Sequence, residues 1–198
     1  MAEDRRAERR DDIVSRIVNA EVDGERLTDD EFQMFWLLLV VAGNETTRNA
    51  VSGSVVALHE HGLWSWLAEH PEHDATAIEE LLRHVSPVHQ FRRTATRDLE
   101  LGDQQVRAGD KIVMWFGAAN RDPDVFADPH ALDLTRDPNP HLAFGVGPHF
   151  CLGAHLARLE MSVMLRHLLD RAPGLTVTGA PTRVASNFIN GVAHLPVR

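Results

Sequence analysis

Cys151, the only cysteine in this chain of 198 residues, sits in Phe144-Gly-Val-Gly-Pro-His-Phe-Cys-Leu-Gly153, directly ahead of a helical pattern of apolar residues. A thiol between glycines at a helix start is suited to be a thiolate, because the free N–H groups and the helix dipole stabilise negative charge there. Such a thiolate is a ligand or a nucleophile; the competing role is the usual fate of a free cysteine, a small buried hydrophobe. The spacing F-x-x-G-x-x-x-C-x-G favours the reactive role. A nucleophilic cysteine would need a base and an orienting group, which no nearby pattern marks out. A second group, Ala42-Gly43-Asn44-Glu45-Thr46-Thr47, sets an acid beside two hydroxyls in the middle of a long apolar helical pattern. Glycine there costs about 1 kcal/mol relative to alanine, so a compensating role is expected. Glu80 and Arg83 form a third group, three residues apart and so on one face of a helix. Taken alone they are a routine solvated pair that contributes little.

The elements that must position these groups are legible from periodicity. Ile13, Val14, Ile17 and Val18 recur at helical spacing until Asp23-Gly24 breaks the pattern. Thr28-Asp-Asp-Glu31 is a capping box that opens a long helix from Asp29 to about Glu60. The centre of that helix is apolar on all sides, which predicts burial. Shorter helices are expected around Leu63 to Glu69 and from Asp74 to His84, the last stopped by Ser86-Pro87. From Phe91 to Met114 the pattern changes to short strands joined by turns. Residues 121 to 140 hold repeated Asp-Pro pairs and read as a structured meander. Beyond Cys151, Leu156, Leu159, Val163, Met164 and Leu168 mark a helix ending near Arg171-Ala-Pro-Gly174, followed by short strands and turns. The fold class is therefore mainly α with a small β component, in a single domain over 1–198 whose first ten residues form a frayed helix or a disordered tail.

Composition excludes several functions. A net charge of −9 argues against a nucleic-acid or anionic-membrane surface. One cysteine rules out an internal disulfide and fits a reducing cytoplasm. The longest apolar run, Met34 to Ala42, is far short of the ~20 residues that span a bilayer, so no membrane anchor is expected. The first twelve residues alternate in charge sign and lack the apolar stretch of a secretory signal. His59-Glu-His61 and His70-Pro-Glu-His73 lack zinc-ligand spacing, and these and the other remaining histidines read as surface residues.

Phe144, Gly147, Cys151 and Gly153 resemble the haem-ligand loop of the cytochrome P450 family, the haem-thiolate monooxygenases. The resemblance implies haem b (iron protoporphyrin IX) with Cys151 as the axial ligand of its iron, since a thiolate donates electron density that favours O–O cleavage. It implies that Phe144 shields the sulfur and that Gly145, Gly147 and Gly153 let the loop approach the flat porphyrin with backbone angles other residues resist. His149 and Arg93 match the positions that bind the haem propionates, with Arg92 as the alternative if the register shifts by one. Ala42 to Thr47 is similar to the family's A-G-x-[DE]-T-T stretch on the helix across the distal haem face. There Gly43 leaves room for dioxygen, Thr46 helps open the helix, and Glu45 with Thr46 delivers protons; the competing reading is a kinked core helix with Glu45 paired to a basic residue. Glu80 and Arg83 match the family's helix E-x-x-R, whose charges meet a meander arginine, here Arg136, in a buried network that holds the proximal loop.

The resemblance runs from about Asp11 to Arg198, yet family members are about twice as long. A truncated gene, one part of a split protein and a short haem binder are the three readings, and the first is favoured. The chain thus resembles the C-terminal portion of the cytochrome P450 fold: long buried distal helix, E-x-x-R helix, meander, ligand loop and following helix. Ala42, Gly43, Val88 and Phe188 fall at substrate-facing positions and are apolar or small, which implies a hydrophobic small-molecule substrate. Val41-Ala-Gly-Asn-Glu-Thr-Thr-Arg-Asn49 with Pro138-Asn-Pro-His141 is similar to actinobacterial members that hydroxylate steroid side chains and methyl-branched lipids. Electrons are expected from a ferredoxin-type partner with an NAD(P)H-dependent reductase, docking near Arg158 and Arg166 unless those are solvated helix residues. The alternatives are a truncated, non-catalytic haem-binding remnant and a peroxide-dependent haem-thiolate enzyme.

Overall fold

A computed structural model describes residues 2–198, which divide after Glu45 into two compact units. The first holds α1 (Ala2–Ala7), α2 (Ile13–Val18) and the opening turns of α3 (Asp29–Glu60). Asp12 caps α2 by accepting the Ser15 N–H at 2.7 Å and also takes Arg5 Nε at 2.6 Å. Val14, Val18 and Phe32 form its small core, with Ile17, Leu27 and Trp36 against it. Asp23 and Gly24 turn the chain with φ of 54° and 83°, as their place at the break in the apolar pattern predicts. The capping box is present in both directions: Glu31 Oε2 accepts the Thr28 N–H at 2.9 Å, and Thr28 Oγ1 accepts the Glu31 N–H at 3.3 Å.

α3 is helical throughout Asp29–Glu60. Its burial differs from expectation. Leu38 is 60% and Val41 56% exposed, Glu45 is exposed too, and beyond Phe32 the helix is buried again only from Asn49 onward. The expectation of a buried centre and a buried acid is therefore corrected. A helix apolar on all sides needs a covering surface from elsewhere, and its own sequence does not carry that surface.

The second unit is built on the buried end of α3. Ala50, Val55 and Leu58 meet Trp64 and Leu67 of α4 (Trp64–Glu69), Ile78, Leu81 and Leu82 of α5 (Asp74–Val85), and Met161, Leu165 and Leu169 of α7 (Ala154–Arg171). Each fully buried leucine contributes about 2 kcal/mol through removal of apolar area from water. Gly53 lets α3 cross α5 closely: a Cβ there would stand 2.6 Å from Val85 Cγ1. Ser86 stops α5 in a left-handed conformation, φ 45°, just before Pro87. β1 (Gln90–Thr94) pairs antiparallel with β4 (Lys111–Trp115), and β2 (Leu99–Leu101) with β3 (Gln104–Val106). α6 (Phe116–Ala119) follows β4, and residues 121 to 140 form neither helix nor strand. β5 (Thr182–Arg183) and β6 (Val192–His194) close the chain.

α7 carries apolar residues on two faces. The face over the core holds Ala154, Met161, Leu165 and Leu169, while Leu156, Leu159, Val163 and Met164, which mark the helix in the sequence, are exposed. No helix among the described residues is long and apolar enough to cross a membrane.

Candidate functional site

Cys151 lies at the end of a tightly folded loop. Gly145 and Gly147 have φ of 70° and 73°, the left-handed region that costs other residues, and so allow two successive turns. The Gly145 N–H donates to Leu142 O, Phe150 N–H to Gly147 O and Cys151 N–H to Phe144 O, each at 2.9 Å. Gly153 behaves differently from its expected role, because its φ of −86° suits any residue. A Cβ at Gly153 would meet open space. Gly153 precedes the first turn of α7, and Cys151 stands two residues earlier. The thiol is exposed, as are the apolar side chains around it, with Val146 at 74% and Leu152 at 82%. A buried small hydrophobe is thus ruled out for Cys151. His149, Arg93 and Arg92 are exposed in the same unit, and Arg93 Nη1 donates to the Arg92 carbonyl at 3.1 Å. Among the described residues no carboxylate pairs with any of the three.

Glu80, Arg83 and Arg136 are brought together. Arg83 grips Glu80 with Nε at 2.7 Å and Nη2 at 2.8 Å, and Arg136 Nε reaches the same carboxylate at 3.1 Å. The Glu80 and Arg83 side chains are 0% exposed. Burial pushes the Glu80 carboxyl up, but Arg83, the Asp133 N–H and Arg136 outweigh it and hold it below the usual carboxylate range. Arg83 also donates to the carbonyls of Asn120, Pro129 and Ala131, and Asn139 Nδ2 joins Glu80 at 3.0 Å. Asn120 carries the network on, accepting the Leu142 N–H at 2.7 Å with its side-chain oxygen. The meander is thereby fastened to α5 at several points directly upstream of the Cys151 loop.

A second charged cluster has no counterpart in the sequence-based reading. Arg158 on α7 binds Glu79 in bidentate fashion, at 2.6 and 2.8 Å, and His141 Nε2 approaches the same carboxylate at 3.0 Å. The Ala143 N–H donates to His141 Nδ1 at 3.2 Å, which puts the ring proton on Nε2, where it serves Glu79. His141 is thus almost fully buried, against the expectation of a surface histidine, and His59 and His70 are likewise held, by the carbonyls of Leu175 and Trp66. Arg166 is held by Asp74. The two arginines expected to dock a redox partner are thus each paired with a carboxylate, and all four side chains stay partly exposed.

Burial raises the Glu79 carboxyl, yet Arg158 and His141 bring it down to about 2 from an ordinary 4.5. A depressed carboxylate stabilises the fold above its unfolded pKa and loses that contribution as pH falls through the folded one. The stability difference between the wild type and Glu79→Gln, from urea unfolding at a series of pH values, is thus expected to be constant above pH 4.5 and to shrink toward pH 2.

Glu45 and Thr46 are consecutive on α3, exposed and partly buried respectively; Ala42 and Gly43 are exposed one turn before. Val88 and Phe188, from distant segments, are neighbours: Val88 bridges to Ile189, and the His89 N–H donates to Phe188 O at 2.8 Å. Phe91 packs on Phe188 with ring centroids 5.5 Å apart and on Phe116 at 5.8 Å, giving an aromatic wall that the alternation of β1 did not reveal.

The Cytochrome P450 family model matches residues 75–172, from α5 through α7. The chain is 49% identical over its whole length to the methyl-branched lipid omega-hydroxylase of Mycobacterium tuberculosis, covering 47% of that protein. It is 42% identical, again over its whole length, to the steroid C26-monooxygenase of Mycolicibacterium smegmatis, covering 46%. A Mycobacterium marinum cytochrome P450 solved with pseudoionone superposes with a TM-score of 0.93 at 46% identity, over 99% of this chain and 48% of that one. The chain spans about half the length of the curated relatives it matches. With the Cys151 loop, the Glu80–Arg83–Arg136 network and these likenesses in agreement, the chain belongs to the cytochrome P450 family, as the C-terminal portion of its fold.

Proposed function

We propose that the chain serves a haem-thiolate monooxygenase that inserts one oxygen atom of O2 into a C–H bond of a hydrophobic substrate of the branched-lipid or steroid side-chain class. The observation that carries this reading is the Cys151 loop: an exposed thiol on a glycine-turned loop, rimmed by exposed apolar side chains, with the exposed basic side chains of Arg92 and Arg93 in the same unit. These residues fit a flat, apolar, doubly anionic cofactor better than they fit water. Haem, the cofactor the family implies, would be held by Cys151 at its iron, by Phe144, Gly145, Gly147 and Gly153 along the loop, and by His149 and Arg93 at its propionates. When bound, it supplies the dioxygen chemistry, favoured by the electron density of a thiolate ligand.

The protein's part is positioning and proton transfer. Backbone N–H groups of the loop and the start of α7 stabilise the thiolate. Glu45 and Thr46 deliver protons, the carboxylate as the exchanging group and the hydroxyl as the relay. Ala42, Gly43, Val88 and Phe188 face the substrate and exclude water from it. The Glu80–Arg83–Arg136 network keeps the meander and the ligand loop in shape. Electrons come from a ferredoxin-type protein and its NAD(P)H-dependent reductase.

The test is turnover by the haem-loaded chain with a bacterial ferredoxin, its reductase and NAD(P)H, offered a methyl-branched fatty acid and a sterol under isotopically labelled O2. A hydroxylated product carrying one labelled atom is expected, with formation lost on Glu45→Gln and Thr46→Ala. Product formed with peroxide but never with NAD(P)H would instead make this a peroxide user, and no product under either condition would leave only cofactor binding.

A further inference from the structure

Arg158 lies between Glu79 and the Phe144 ring of the Cys151 loop. Its guanidinium is fixed by the bidentate bond to Glu79, which is itself fixed by His141. Its Cζ lies over the Phe144 ring, 4.4 Å from the ring centroid. Phe144 in turn carries the carbonyl that accepts the Cys151 N–H at 2.9 Å, and its ring neighbours those of His141 at 6.0 Å and Phe150 at 6.2 Å. His141 and Ala143 belong to the same run of chain that enters the loop, and the Ala143 N–H is spent on His141 Nδ1. The Glu79 cluster therefore touches the loop at its entry and on one face of Phe144.

We propose that Arg158 is a positioning residue for Cys151: clamped by Glu79 and His141, it holds the Phe144 ring in place and so sets the orientation and electrostatic surroundings of the thiolate. This inference rests on the haem-thiolate reading and deepens it. Arginine suits the task because one planar group can bind a carboxylate edge-on while stacking on an aromatic face, which lysine cannot do. The guanidinium is held charged chiefly by the bond to Glu79, so a fixed positive charge stands beside the loop. The network is distinct from the Glu80 triad. Glu79 and Glu80 are adjacent on α5 and diverge by about 100° around its axis, one toward α7 and the other toward the meander.

The test compares Arg158→Gln, Arg158→Lys and Glu79→Gln with the wild type. In the protein without haem, amide hydrogen exchange of Gly145, Phe150 and Cys151 is expected to speed up about tenfold in all three variants, with β1 and β4 unchanged. In the haem-loaded protein, the carbon monoxide complex of the dithionite-reduced variants is expected to show several-fold more of the band lacking thiolate ligation, with a shifted reduction potential. Lysine is expected not to rescue. A variant whose thermal stability falls while its loop exchange, band position and potential remain those of the wild type would make Arg158 a plain strut between α5 and α7 and overturn the proposal. Full rescue by lysine, or a defect confined to reduction by ferredoxin, would overturn it as well. If the wild type takes up no haem, the exchange measurement still decides the positioning role, and the failure belongs to the cofactor assignment.

Discussion

Glu80→Gln is expected to lower the stability of the chain by about 3–5 kcal/mol, the range for removing one partner of a buried ion pair. The carboxylate is fully enclosed and accepts bonds from Arg83, Arg136, Asn139 and the Asp133 N–H. Glutamine keeps the shape but offers one acceptor oxygen, and its NH2 would point at donors. Arg83, 0% exposed, would lose the charge that balances it, and Arg136 would share that loss. Since a domain's whole stability is about 5–15 kcal/mol, much of the folded population is at stake. Urea unfolding followed by far-UV circular dichroism reads the change as a lower midpoint at unchanged slope. A loss under about 1 kcal/mol, the range of a solvated pair, would contradict the network's part in holding the meander.

Cys151→Ser is expected to do the reverse: leave stability within about 0.5 kcal/mol of the wild type and remove function. The thiol is exposed, and the bonds this residue makes are backbone bonds, to Phe144 O and from Ala154 N. Serine keeps these and replaces the sulfur by a group too weakly acidic to be a stable anion at neutral pH. The haem-loaded variant should lose the thiolate-type spectrum and all NAD(P)H-driven product formation, while its urea midpoint stays in place.

These two residues also mark how far the sequence carries. Local signals are sufficient where the physics is local: Thr28 and Glu31 bracket the start of α3 and Ser86-Pro87 ends α5, while the special backbone angles of Gly145 and Gly147 follow from the family likeness. Glu80 and Arg83 share a face by spacing alone, but Arg136 enters only through the family likeness, because 56 residues of chain separate it from Glu80. The Glu79 cluster escaped altogether. Its partners lie 62 and 79 residues away, and a glutamate beside another glutamate carries no sign of which direction each will face. The expected burial of the centre of α3 fails, and Leu156, Leu159 and Val163 of α7 stand exposed although they mark the helix, for one reason. Apolar periodicity says that a surface can be covered, whereas covering it takes a second surface.

The most direct test of the account is the carbon monoxide spectrum of the chain loaded with haem and reduced with dithionite. It predicts the red-shifted Soret band of a thiolate-ligated complex, present in the wild type and absent in Cys151→Ser. Failure to take up haem, or a wild-type band of the kind given by histidine ligation, would contradict it.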